Sequence, residues 1–224
     1  MQVLYEDNHL LVVVKPTGLA TMGLAEGEDT LLTLARDYVK EKYHKPGNVY
    51  LGVVSRLDVP VSGVVVFART SKAAARLNDQ FRNRTVTKTY LALVEGAIEP
   101  AAAECVDRIR EDERHRKVWI TRDLIGKESK LSYKRLEQLP FCSLIEIHLE
   151  TGRKHQIRVQ LASRGFPILG DRKYGARSEF PNGIALHAWK LALCHPVGGE
   201  ALEFVAPAPA SWKKVWNRSV AQNC

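Results

Sequence analysis

The sequence predicts an α+β fold: a mostly antiparallel mixed sheet with flanking helices. Strand-like runs outnumber helical ones, and they come in consecutive groups rather than in strict strand–helix alternation, which disfavours a doubly wound parallel sheet. The chain has 224 residues, enough to bury a substantial core in one large domain or two small ones. It carries no clean linker, repeat or low-complexity segment. The expectation is one domain over residues 1–224, without a separate N-terminal module.

The elements follow in order. Residues 3–5 and 9–14 read as short strands around the polar turn Glu6-Asp7-Asn8, and Lys15-Pro16-Thr17-Gly18 turns the chain. Asp29 or Thr30 caps a helix to about Glu41, with Leu31, Leu34, Ala35 and Tyr38 as its apolar stripe. Tyr50 to Val54 reads as a strand, and Val64 to Ala68 as a short buried one. Thr70 or Ser71 caps a second helix to about Arg82, with Ala74, Leu77 and Phe81 facing the core and Lys72, Arg76 and Arg82 on a basic side. Val86 to Val94 is β-branched and alternating, and Gly96 stops it.

Residues 97–130 are the least regular stretch. Arg108, Arg110, Arg114, His115, Arg116, Lys117 and Arg122 lie there among acids, with Trp119 between them. This reads as an exposed, partly mobile hairpin or loop, suited equally to solvation or to RNA contacts. Leu131 to Leu136 and Ser143 to Glu150 read as antiparallel strands, the second with Ile145, Ile147 and Leu149 on one face. Lys154 to Ser163 reads as a helix closed near Gly165, followed by a rigid loop over 167–175. Ile184 to Leu193 and Ala201 to Val205 are further strands, and a short amphipathic helix around Trp212 and Trp216 ends the fold.

Composition narrows the function. A net charge of +8 and a pI of about 9.4 favour a polyanionic partner such as nucleic acid. Cys105, Cys142, Cys194 and Cys224 are scattered, which argues against a zinc site or a disulfide framework and for free thiols. No glycine-rich phosphate loop and no His-Glu-x-x-His occurs, so no nucleotide or metal cofactor is indicated. No apolar run approaches the ~20 residues of a membrane span. The N-terminus starts with strand-like sequence rather than a signal peptide, and the expected location is cytoplasmic.

Two stretches carry chemistry. In Ser55-Arg56-Leu57-Asp58-Val59-Pro60-Val61-Ser62-Gly63, Arg56 and Asp58 sit two apart. In extended chain they face one side while Leu57 faces the other. Pro60 and Gly63 suit a bend. An acid beside an arginine at the lip of a buried strand is either a reactive carboxylate or a structural ion pair. The second stretch is Thr151-Gly152-Arg153-Lys154-His155-Gln156-Ile157-Arg158. On a helix, His155 and Arg158 share a face, and Ile157 and Leu161 anchor the neighbouring one. A half-buried Arg158 needs an acid. Asp58 is the partner this reading selects, and the pairing would hold it ionised for use as nucleophile or base. His155 reads as a structural hydrogen-bonding residue.

Taken together, these motifs resemble the RluA-type pseudouridine synthase family. Ser55 to Gly63 resembles that family's His-Arg-Leu-Asp-x-x-Thr-Ser-Gly, Lys88-Thr89-Tyr90 its Lys-x-Tyr strand, and Thr151 to Val159 its Thr-Gly-Arg-x-His-Gln-Ile-Arg-Val segment. Gly170 to Gly175, Leu186-His187-Ala188, His195-Pro196 and the opening Tyr5 to Leu19 are similar as well. The resemblance covers nearly the whole chain. It implies a pseudouridine synthase fold with an active-site cleft across the sheet, and isomerisation of uridine already in RNA, without metal or organic cofactor. It implies Asp58 as the catalytic aspartate and Arg56 as the arginine that helps displace the target nucleotide. Tyr90 matches the tyrosine against the base, and Arg158 the arginine paired with the aspartate. RNA, either tRNA or rRNA, is the implied partner. No membrane or small-molecule cofactor is expected, and a monomer is. The chain departs from the family pattern at Ser55, where His is usual, at Val61, where Thr is usual, and at Gln160, where His is common. Those departures give a second reading its support: a catalytically degenerate RNA-binding protein or RNA chaperone. An aspartate-nucleophile hydrolase would lack a phosphate or metal site.

Overall fold

A computed structural model describes residues 1–23, 29–114 and 117–216. His115 and Arg116 of the basic cluster, and Cys224, lie outside the described residues. The chain divides into two compact units, Met1–Val86 with Ala188–Cys224, and Thr87–His187.

The first unit begins with β1 (Gln2–Glu6), β2 (Leu10–Lys15), α1 (Leu31–Lys42), β3 (Gly52–Val53), β4 (Ser62–Ala68) and α2 (Ser71–Arg82). It also holds β11 (Ala201–Val205) and most of β10 (Leu186–Cys194), which the second unit's strands precede in the chain. Its strands run in the order β1-β2-β4-β10, with β11 on β10 and β3 on β4. The pairs β1–β2, β2–β4, β3–β4 and β10–β11 are antiparallel.

The unbroken apolar run of β4 has a direct cause: both of its faces are covered. Val64, Val66 and Ala68 pack with Leu10, Val12 and the α2 residues Ala73, Ala74 and Leu77. Val65 and Phe67 pack with Leu11, Val13 and the α1 residues Leu31, Leu32, Ala35 and Val39. Strands buried on both faces lose the polar alternation of a one-sided sheet. Each helix starts where a threonine can accept from its first turn: Thr30 Oγ1 from the Thr33 amide, and Thr70 Oγ1 from the Ala73 amide.

The second unit holds β5 (Thr87–Glu95), β6 (Ala102–Asp112), β7 (Lys117–Thr121), β8 (Lys127–Gln138), β9 (Cys142–Leu149) and α3 (Gln156–Ala162). A 3-10 turn follows at Arg172–Tyr174. The strands run β5-β9-β8-β6-β7, and these neighbours are antiparallel. Val159 of α3 packs on Ile109 and Val118.

The α+β class and its antiparallel character are as the sequence predicts. Several boundaries differ. Of the hairpin or loop expected over residues 97–130, the structure has the hairpin: β6 and β7 form it, and the start of β8 follows. Only Gly52–Val53 of the expected 50–54 strand pairs, and it pairs with the last two residues of β4. The α3 helix begins at Gln156 rather than Lys154, because His155 sits at a left-handed φ of 54° and cannot be a helical residue. Gly63 lies inside β4 rather than at a bend; a Cβ there would collide with the Ala188 carbonyl oxygen. The terminal helix is a single 3-10 segment, Ala210–Lys214, with Trp212 and Trp216 buried. Cys105, Cys142 and Cys194 are free thiols, as expected.

Candidate active site

Asp58 lies on the irregular segment before β4, and the preceding loop holds its neighbours residue by residue. The Thr21 hydroxyl, itself buried, accepts from the Leu57 amide at 3.1 Å and donates to the Leu57 carbonyl at 3.0 Å. The Gly18 amide donates to the Val59 carbonyl at 2.9 Å, and Thr17 Oγ1 donates to the Pro60 carbonyl at 2.9 Å. The Val61 amide closes a turn on the Asp58 carbonyl at 3.0 Å. Leu57 packs against the α1-side core, Asp58 is half-buried, and Arg56 is exposed. Ser55 is half-buried and Val61 fully buried.

Lys15 is the residue here that the sequence reading treated as turn punctuation. Its side chain is 0 % exposed. Its ammonium donates to the carbonyls of Leu19 at 2.6 Å, Pro16 at 2.9 Å and Val59 at 3.1 Å. Burial pushes its pKa down to about 8, opposed by the negative charge of Asp58. One ammonium therefore ties the β2 end, the 16–19 loop and the residue after Asp58 together. The signal was present as a lysine ending an otherwise apolar strand, where a cation must find carbonyls or an acid.

In the second unit, Arg158 is 5 % exposed and forks onto Asp171, which is equally buried. Nε donates to Oδ2 at 2.7 Å and Nη2 to Oδ1 at 2.9 Å, the bidentate geometry that a planar guanidinium favours. The guanidinium carbon lies 5.1 Å from the Tyr174 ring centre, a cation–π distance. Tyr174 Oη and His155 Nδ1 are 2.7 Å apart, so His155 serves Arg158 through Tyr174 rather than from a shared helix face. Asp171 reaches this place because the chain turns sharply at Gly170, at φ 81°, where a Cβ would meet the Gly183 carbonyl at 2.8 Å. Sequence reasoning required an acid for Arg158 but did not choose Asp171. The clue was an aspartate between closely spaced glycines, in a loop with little other use for a charge.

Tyr90 lies on β5 opposite Ile147 of β9 and is half-buried, between the buried Thr89 and Leu91. The site candidates therefore sit on three kinds of support. Asp58 and Arg56 are on a loop pinned from behind, Tyr90 is on a paired strand, and Arg158 is on a helix locked by an ion pair. Among the described residues, no cluster of three His, Cys, Asp or Glu side chains could hold a metal ion. A carboxylate on a fixed turn can attack a carbon centre or remove a proton, a tyrosine ring can lie against a base, and an exposed arginine can occupy a position from which a base has been displaced.

A sequence model described as RNA pseudouridylate synthase matches residues 9–163. The chain is 34 % identical over 221 residues to an uncharacterized RNA pseudouridine synthase, YhcT, of Bacillus subtilis, covering 96 % of this chain and 71 % of that protein. It is 35 % identical over 219 residues to ribosomal large subunit pseudouridine synthase D of Nitrosomonas europaea, covering 93 % of this chain and 62 % of that protein. Among solved structures, it is similar to the human RNA pseudouridylate synthase domain containing 4 protein, with a TM-score of 0.79 and 25 % identity over 96 % of this chain and 92 % of that one.

Proposed function

The chain belongs to the RNA pseudouridylate synthase family, and from that premise we propose that it isomerises specific uridines in tRNA or rRNA, with Asp58 acting at the ribose. The family's enzymes are isomerases. In the reaction the N1–C1′ glycosidic bond breaks, the uracil turns, and C5 bonds to C1′; C5 gives up its proton and N1 gains one, so no oxidant or co-substrate is consumed. Asp58 either attacks C1′ or removes the proton from C2′, and is regenerated on either route. Arg56 fills the position that the flipped nucleotide vacates, since a base inside folded RNA must leave its stack to be reached. Tyr90 lies against the uracil, and Arg158 takes the place of the arginine that serves the aspartate in the family pattern. The whole chain acts as one catalytic domain, monomeric and cytoplasmic, without a cofactor.

The observation that carries this reading is the fixed backbone around Asp58. Lys15, Thr17, Gly18 and Thr21 bind successive groups from Leu57 to Pro60, which places one carboxylate reproducibly while its arginine neighbour stays exposed. A pinned acid beside an exposed arginine supports the reading of Asp58 as the reacting group and of Arg56 as the RNA-displacing one. Several relatives are named for the ribosomal large subunit, so its RNA is the first substrate to test. Incubating the purified chain with unmodified total RNA and mapping pseudouridine tests the proposal. New pseudouridine at a few defined uridines is expected. RNA that is bound and returned unchanged would support the degenerate RNA-binding reading instead.

A further inference from the structure

We propose that the β7–β8 connection and the cleft beside it form a second RNA subsite, which grips unpaired nucleotides of the substrate RNA; it rests on the RNA-modifying reading above. After β7 ends at Thr121, the chain passes to β8 on the other side of β6, since β6 pairs with β7 through Arg108–Asp112 and with β8 through Ala102–Ile109. This crossing is tight. A Cβ at Gly126 would meet Thr121 Cγ2 at 2.5 Å and Arg108 Cβ at 2.9 Å.

The crossing is also stapled. Arg108 Nη1 donates to the Gly126 carbonyl at 3.0 Å and the Leu124 carbonyl at 3.4 Å. Arg110 Nη1 donates to Asp123 Oδ2 at 3.3 Å, Asp123 Oδ1 accepts from the Gly126 amide at 3.1 Å, and Thr121 Oγ1 accepts from the Asp123 amide at 3.3 Å. What this bonding holds out into water is two consecutive aliphatic side chains, Leu124 at 83 % and Ile125 at 75 % exposed. Single exposed apolar residues need no explanation; a contiguous pair held out on a rigid support offers an apolar surface to a partner whose chemistry the neighbouring groups decide.

The chemistry next to the pair identifies the partner. A cleft of about 630 Å³ is lined by Arg108, Arg122 and Arg164 with Val106 and Ile120. Val106 is itself exposed. Two carboxylates share the wall, Asp107 and Glu128. Asp107 is already met by Arg164 at 2.8 Å and by Gln160 Nε2 at 2.7 Å, and Glu128 lies 3.6 Å from Lys130. Cations interleaved with apolar side chains suit a strand of nucleotides, with phosphates on the guanidinium groups and base faces on the apolar ones. Beside the cleft, Arg110 stacks 5.8 Å from the Trp119 ring centre, which extends the same cationic and aromatic surface along β6 and β7.

The test is binding of a fluorescein-labelled single-stranded oligouridylate to the full chain across a salt series. Wild type is compared with Arg122→Gln, Arg122→Lys and the double variant Leu124→Ser/Ile125→Ser, with thermal melting confirming that each is folded. Arg122→Gln should weaken binding and reduce the slope of log affinity against log salt by about 0.7, the value for one single-strand phosphate contact, and Arg122→Lys should restore the slope. The double variant should weaken binding about fivefold, as partial burial of two aliphatic side chains implies, with the slope unchanged. Affinity and slope equal to wild type in every variant would overturn the subsite, as would a loss of protein–protein association in place of RNA binding. If wild type makes pseudouridine while the variants bind RNA normally, only the subsite fails. If wild type makes no pseudouridine on any RNA, the functional reading fails first.

Discussion

Arg158 shows what it takes to bury a guanidinium. Its charge is met by both oxygens of Asp171 and by the Tyr174 ring, with all three groups in one unit. Removing one partner of such a pair leaves the other buried and uncompensated, so Asp171→Ala should cost about 3–5 kcal/mol in urea denaturation. Replacing both, as Arg158→Met with Asp171→Leu, should recover most of that loss; a double variant as unstable as the single would show that geometry, not charge, is what Asp171 supplies. Glu6 is a second charged residue with a measurable signature. Burial acts to raise its carboxyl pKa, but bonds from Lys42, Tyr43 and Tyr38 outweigh burial and hold it down to about 2 from an ordinary 4.5. A folded-state pKa below the unfolded one contributes stability that is complete above about pH 4.5 and is lost as pH falls toward about 2. Melting temperatures followed down that range should fall more steeply in wild type than in Glu6→Gln.

At the scale of elements, β4 is where the sequence was most and least legible. Its apolar run identified a buried strand, because Val64 to Ala68 has no polar alternation and α1 and α2 cover its two faces. Gly63, beside that run, read as punctuation. Its real constraint is long-range, a φ of 128° and the Ala188 backbone of β10 where a side chain would stand. No local pattern encodes that approach. Gly63→Ala should therefore destabilise the first unit by more than the roughly 1–3 kcal/mol of ordinary overpacking, visible as a lower urea midpoint; an unchanged midpoint would mean that β4 and β10 can separate without cost. The β6–β7 hairpin was legible only as a hairpin or loop, its strand positions obscure for the opposite reason. Its solvent-facing positions carry so many charges that the buried Cys105, Ile109 and Val118 did not stand out as a strand pattern. The shortened α3 depended on the left-handed His155, a conformation that residue type alone does not announce.

For the molecule as a whole, the basic charge, the order of the motifs and the α+β class all led to one family, and the comparisons bear that family out. Arg56, Asp58, Tyr90 and Arg158 were singled out because each sits in a motif with a chemical rationale. Lys15 and Asp171 were not, since they act on those residues through backbone carbonyls and a salt bridge, and such partners are set by folding rather than by spacing. The central claim is that Asp58 does chemistry and does not merely hold the loop. The measurement that tests it most directly is pseudouridine formation by Asp58→Asn on an RNA that the wild type modifies, with RNA affinity and urea stability determined for the same variant. The account predicts a folded protein that binds the RNA with near wild-type affinity and forms no pseudouridine. Pseudouridine formed at the wild-type rate by that variant would contradict it.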